Sequence, residues 1–270
     1  MFMDRITKRI KGGSMFKINN FENNDDVRIP EKKGAFKVIE YKKDLSVNHL
    51  TAQTAYYAAQ MNVRRRQLMC DVSASDITVQ SGAMQWMIGN VKATTGLKGV
   101  GDLIGKAFRG KVTKESAIKP EYTGEGKLIL EPTYKHILLL DATNWNNSIV
   151  IEDGLFLACD SRLKHKAIMR SNLSSAALGG EGLFNLGLLG EGILALESYV
   201  PRQELIEIEL DNDELKIDGN MAIAWSGSLD FSVARSGKTL MGSAASGEGF
   251  VNVYRGTGRV LMAPVLTSPI

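Results

Sequence analysis

The chain has 270 residues, and its candidate reactive groups can be taken one by one. Ser236-Gly237-Lys238-Thr239 ends like a phosphate-binding loop, in which glycine amides cradle phosphates and the lysine reaches them. That loop also needs a glycine at the position where Ser232 stands, and a strand-to-helix turn that residues 229–233 do not suggest. Gly99-Val100-Gly101-Asp102-Leu103-Ile104-Gly105 is glycine-rich but lacks the βαβ context and downstream acidic partner of a dinucleotide site. Asp211-Asn212-Asp213-Glu214 opens like a calcium loop, yet Lys216 occupies the position that must be glycine. Ser161-Arg162-Leu163-Lys164 matches Ser-x-x-Lys without the companion motifs of acyl transfer.

Metal sites need clustered His, Cys or carboxylate ligands, and His49, His136 and His165 are scattered. Cys70 and Cys159 lack a Cys-x-x-Cys arrangement and read as buried, reduced thiols. No metal, cofactor or catalytic residue is therefore assigned. The one site expectation is an anionic-ligand face built on Arg64, Arg65 and Arg66, reinforced by Lys42, Lys43, Lys98, Lys106, Arg109 and Lys111. Its competitor is a solvated strand edge whose charges deter pairing. RNA binding would call for aromatics interleaved with the basic residues, a pattern the rest of the chain lacks.

The elements that would position these groups come from repetition. Gly124-Glu125-Gly126, Gly190-Glu191-Gly192 and Gly256-Thr257-Gly258 recur at one constant interval, each followed by an apolar run. A second landmark, Gly82, Gly154 and Gly219, recurs first at a slightly longer interval and then at nearly the same one. A third, Gly180-Glu181-Gly182-Leu183-Phe184, returns after nearly that interval as Gly247-Glu248-Gly249-Phe250. Glu125 and Glu191 hold equivalent positions and read as solvated turn residues.

Within each unit, short apolar runs bounded by Gly, Asp, Asn or Pro indicate strands. Ile206, Ile208 and Leu210 alternate with Glu207 and Glu209, the period of a half-buried strand. A turn is expected at residues 211–214, and a hairpin is expected around Gly256-Thr257-Gly258, with glycine supplying positive φ at the tip. Residues 51–61, rich in alanine, predict a helix, and residues 101–108 a second one weakened by glycine.

The expected fold is all-β: three repeated units of short strands forming a sandwich or barrel-like stack in one compact domain, with a short N-terminal helix. Residues 1–35 form a polar lead-in, 36–65 a strand and helix, and 66–270 the β domain, with units near 66–132, 133–198 and 199–264. Composition is that of an ordinary globular chain, 44% hydrophobic and 23% charged, with a net charge of +3 that neither demands nor forbids an anionic partner. There is no apolar stretch long enough for a membrane helix and no secretory signal core, so the expected compartment is cytoplasmic.

Ser-Gly-Ala-Met at 81–84, Asp-Gly-Leu-Phe-Leu-Ala at 153–158, Gly-Gly-Glu-Gly-Leu-Phe at 179–184 and Arg-Gly-Thr-Gly-Arg-Val-Leu at 255–261 together resemble the AIM24 family, over residues 63–264. The resemblance implies triplicated β-sandwich units similar to the tryptophan RNA-binding attenuator protein, of the short double-stranded β-helix type, in one compact pseudo-threefold domain suited to joining others in a ring or trimer. A mitochondrial member linked to inner-membrane organisation implies a scaffold role. The resemblance supplies no catalytic residue. The expectation is a non-enzymatic, self-assembling homo-oligomer, with binding of an anionic ligand (RNA or membrane lipid) as the alternative and an enzyme with a polar pocket between repeats as the third.

Overall fold

The computed structural model describes residues 16–94, 119–169, 184–235 and 250–265. Among them the chain forms β1 (Val27–Arg28), β2 (Lys32–Lys33), β3 (Phe36–Tyr41), helix α1 (Ala52–Gln60), β4 (Arg66–Asp71), β5 (Ile77–Val79), β6 (Met84–Thr94) and β7 (Glu121–Leu130). There follow β8 (His136–Asp141), β9 (Ser148–Ile151), β10 (Phe156–Asp160), β11 (Lys164–Met169), β12 (Phe184–Leu189) and β13 (Ile193–Ser198). The last are β14 (Ile206–Asp218), β15 (Ala222–Ser226), β16 (Asp230–Arg235) and β17 (Phe250–Met262). The fold is all-β and sandwich-like. The predicted helix at 51–61 is α1, and the weaker one at 101–108 lies outside the described residues.

Two antiparallel sheets carry these strands. A ten-stranded sheet runs β1-β3-β4-β7-β5-β10-β13-β8, with β2 on β3 and β6 on β7. A seven-stranded sheet runs β11-β12-β9-β15-β17-β14, with β16 on β17. Side chains alternate along each strand, so the inward set forms the core. Phe36, Leu68, Ile77, Leu128 and Leu139 pack in one cluster. Ile149, Leu163, Leu188 and Leu194 pack in a second, and Val150, Trp225, Tyr254 and Val260 in a third.

The repetition seen in the sequence is a repetition of register. Ile77 faces Tyr122, Ile149 faces Leu188, and Leu215 faces Tyr254. Trp86 faces Ile129, Ala158 faces Ala195, and Ala224 faces Leu261, each just after a bulge. The partner positions in both series keep the interval of the glycine motifs.

Two sequence expectations are corrected. Residues 211–214 are not a turn: β14 runs through them with a bulge between Leu210 and Asp213, and Asn212 takes φ 52°. Gly256-Thr257-Gly258 is not a hairpin tip: β17 runs through it as one strand. Each half of β14 pairs with β17 rather than with its own other half, residues 206–210 with 258–262 and 213–218 with 251–256. The glycine segment is a bend. In the second repeat the same bend, at Gly190 and Gly192, passes the chain from β12 in one sheet to β13 in the other. At Gly124, φ is +119° and a Cβ would stand 2.1 Å from the Asn90 carbonyl oxygen, so only glycine fits.

Candidate functional site

Strands β3 and β4 pair with Glu40 opposite Arg66, at the end of the segment that leaves α1. Both side chains are almost fully buried, with Arg66 Nε donating to Glu40 Oε2 at 2.8 Å. Arg64 Nη1 donates to Glu40 Oε1 at 3.0 Å, and Arg28, brought in by β1, donates to the same oxygen at 2.7 Å. Arg66 also donates to the Asn62 carbonyl and to Asn62 Oδ1. Burial would raise the Glu40 carboxyl, but the bonds from Arg28 and Arg64 and the charge of Arg66 overcome it and hold the group below its ordinary value.

Arg65 turns away from this cluster. Its guanidinium lies 4.5 Å from the centre of the Tyr41 ring and pairs with Asp44 at 3.4 Å. The Tyr134 hydroxyl donates to the other Asp44 oxygen at 2.8 Å. The structure thus brings Arg64 and Arg66 together, sets Arg65 apart, and gives each a carboxylate within the chain. Lys42 and Lys43 are exposed nearby, whereas Lys98, Lys106, Arg109 and Lys111 lie outside the described residues. Arg28 was not visible from sequence: it joins through strand pairing alone. With three guanidinium groups on one carboxylate the cluster keeps net positive charge, and the side chain of Arg28, 48% exposed, carries it to solvent.

Beside this cluster, residues 45–63 contain no Asp, Glu, Lys or Arg. Leu45, Leu50, Tyr56, Tyr57, Met61 and Val63 from this stretch are exposed, and in α1 only Ala59 is buried.

A cavity of about 840 Å³ opens where turns from all three repeats meet: Gly82 and Glu131 from the first, Gly154 and Glu197 from the second, Asn220 and Ala263 from the third. Lys135 in its wall donates to Glu197 Oε2 at 2.7 Å and sits 5.0 Å from the centre of the Tyr199 ring. Burial would depress Lys135, but the Glu197 bond prevails and raises it, so the amine stays charged. A charged amine is a poor nucleophile.

The other reactive candidates are similarly quiet. Cys159 Sγ lies 3.3 Å from His165 Nε2, but burial pushes the thiol well above its ordinary value, mostly removing the thiolate that nucleophilic chemistry needs. Cys70 is free and buried, with its thiol raised for the same reason. Glu125, Glu191 and His49 are exposed. No group of three potential metal ligands occurs among the described residues. The Ser236-Gly237-Lys238-Thr239 and Gly99-to-Gly105 motifs lie outside the described residues.

What distinguishes the first and third repeats from the second is exposure of strand edges. The repeats join by one kind of seam: Val79 opposite Ala158 between the first and second, Ile151 opposite Ala224 between the second and third. The strands at these seams, β5 with β10 and β9 with β15, are almost entirely buried. Strand β6 corresponds to β10 and β15, yet Met84, Gln85 and Met87 are exposed and Trp86 and Ile88 half-buried. Residues 215–217 correspond to residues 77–79 and 149–151, yet Lys216 is exposed and Leu215 half-buried. Among the described residues β6 pairs only with β7, and β14 only with β17.

An all-β chain that repeats one seam in fixed register is a tandem β-sandwich protein. The family model for AIM24, described as mitochondrial biogenesis AIM24, matches residues 57–265, and the chain belongs to that family. An uncharacterised protein of Streptococcus pyogenes serotype M6 is 32% identical over 192 residues, covering 68% of this chain and 75% of that one. A crystal structure of a Streptococcus pyogenes protein superposes with a TM-score of 0.55 at 26% identity, covering 76% of this chain and 90% of that one. No helix among the described residues is long and apolar enough to cross a membrane.

Proposed function

We propose that this chain is a non-enzymatic structural protein that self-associates through its sheets, in a reducing compartment such as the cytoplasm. One observation carries this reading: β6 is exposed where its counterparts β10 and β15 are buried throughout. A strand presenting Met84, Trp86, Met87 and Ile88, with a backbone edge that has no strand partner among the described residues, is a template for another strand, and natural proteins cover or charge such edges unless they are used. Along its length β6 carries a single charged side chain, Lys92. The protonated Cys159, the ion-paired Lys135 and the dispersed histidines accord with a role without covalent chemistry. The two free, buried thiols accord with a reducing compartment. Sedimentation velocity over a concentration range tests the proposal: species heavier than one chain support it, and a single species of 29.5 kDa at every concentration defeats it.

A second reading, adsorption to an anionic lipid surface, is favoured by the uncharged, exposed stretch 45–63 lying between Lys42-Lys43 and the arginine cluster. Tyrosines at an apolar–polar boundary and flanking cations suit a bilayer surface. Co-sedimentation with phosphatidylserine vesicles that is lost in high salt supports it, and equal pelleting with neutral vesicles removes the electrostatic part of the reading.

A further inference from the structure

The two seams within the chain share one register, and among the described residues both halves of a third seam are open. At the first, Val79, Thr78 and Ile77 face Ala158, Cys159 and Asp160. At the second, Ile151, Val150 and Ile149 face Ala224, Trp225 and Ser226. The residues equivalent to the first set are Ile217, Lys216 and Leu215, through their common pairing, one repeat apart, onto Tyr122, Leu188 and Tyr254. The residues equivalent to the second set are Trp86, Met87 and Ile88, through their common pairing onto residues 129, 195 and 261 and those before them.

Resting on the self-association just proposed, we infer that the partner is a second copy of this chain. Residues 215–217 of one copy add antiparallel to residues 86–88 of the next, with Ile217 opposite Trp86, Lys216 opposite Met87 and Leu215 opposite Ile88. Both sides hold the register positions whose equivalents form this ladder twice elsewhere in the chain. The register sets no like charges opposite each other, since 86–88 is uncharged. It covers Trp86, Met87 and Leu215, whose counterparts are core residues in the internal seams, while Ile217 is already buried. The two edges belong to different sheets and have no ladder between them among the described residues. Each copy offers one edge of each kind, so the contact is head-to-tail and builds a ring or a filament rather than a two-fold dimer.

The test mixes full-length Met87→Cys protein with full-length Lys216→Cys protein under mild oxidation. Both positions are exposed, and directly opposed residues are within disulfide reach. The expected result is a covalent dimer on a non-reducing gel from this mixture, and none above the wild-type background from Met87→Cys mixed with Glu214→Cys, which lies out of register on the same face. A protein that sediments as an oligomer but forms no in-register dimer overturns the head-to-tail register and leaves self-association standing. Equal cross-linking of Met87→Cys with itself overturns it in favour of two-fold β6 pairing. A double variant that cross-links within one chain overturns it in favour of internal closure. A monomer at every concentration removes both proposals.

Discussion

Ile151 lies opposite Ala224 across the seam between the second and third repeats, in the register that sets Val79 opposite Ala158 one repeat earlier. Ile151 and Ala224 are both fully buried, so this seam is core, and its strands tolerate little change in volume. Ala224→Leu adds atoms where none fit and is expected to cost about 1–3 kcal/mol in urea unfolding. At the first repeat's equivalent strand the outcome differs. Met87 is 43% exposed, so Met87→Lys is expected to change stability by no more than about 0.5 kcal/mol while weakening association. Thermal unfolding and sedimentation of the same sample separate the two effects.

Glu40 is the hub of the arginine cluster. Removing its charge leaves Arg66 buried without a carboxylate, and Glu40→Gln is expected to cost about 3–5 kcal/mol in denaturant unfolding. A Glu40→Leu/Arg66→Met double variant recovers part of that loss, because it removes the fully buried pair and leaves only the more exposed Arg28 and Arg64 without a carboxylate. If Glu40→Gln proves as stable as the wild type, the pair is not the structural tie described.

Gly124 and Gly154 both have positive φ, +119° and +80°, but differ in their surroundings. A Cβ at Gly154 meets nothing within 4 Å, so Gly154→Ala costs the backbone preference alone, about 1–2 kcal/mol. At Gly124 the Asn90 carbonyl blocks the Cβ as well, and Gly124→Ala is expected to lower the melting temperature distinctly more. Equal melting temperatures for the two variants would contradict the close approach of β6 to β7 at this bend.

His136 gives the fold a pH dependence distinct from that of Glu40. Burial, with the nearby Arg66 charge, lowers the His136 imidazole to about 4 against an ordinary 6.5, partly opposed by Glu40. The unfolded chain therefore takes up this proton first as pH falls. The stabilisation is complete above pH 6.5 and is lost progressively between 6.5 and about 4. The Glu40 contribution, from a lowered carboxyl, is lost only as pH drops below its ordinary 4.5. Urea unfolding across pH 4.5–7 should show stability falling with acid in the wild type and a flatter profile in His136→Gln.

The alternation of Ile206, Ile208 and Leu210 with Glu207 and Glu209 was readable because a strand's two faces are written in adjacent residues. The bend at Gly256 was not, since positive φ serves a hairpin tip and a bent strand equally. Only pairing with residues 206–218, far upstream in the chain, distinguishes them. Arg64, Arg65 and Arg66 stood out as a charge run, but their partners Glu40, Asp44 and Arg28 are supplied by neighbouring elements. The exposed edge of β6 was invisible for a related reason: Met84, Trp86 and Met87 resemble core residues, and only the buried β10 and β15 show what is missing.

Light scattering of the wild type and Met87→Lys over a concentration series tests self-association through β6. The expected result is a wild-type mass that rises to whole multiples of 29.5 kDa and a Met87→Lys mass that falls toward one chain, with both proteins equally folded by circular dichroism. A wild type that stays at one chain mass, or an oligomer indifferent to Met87→Lys, would contradict it.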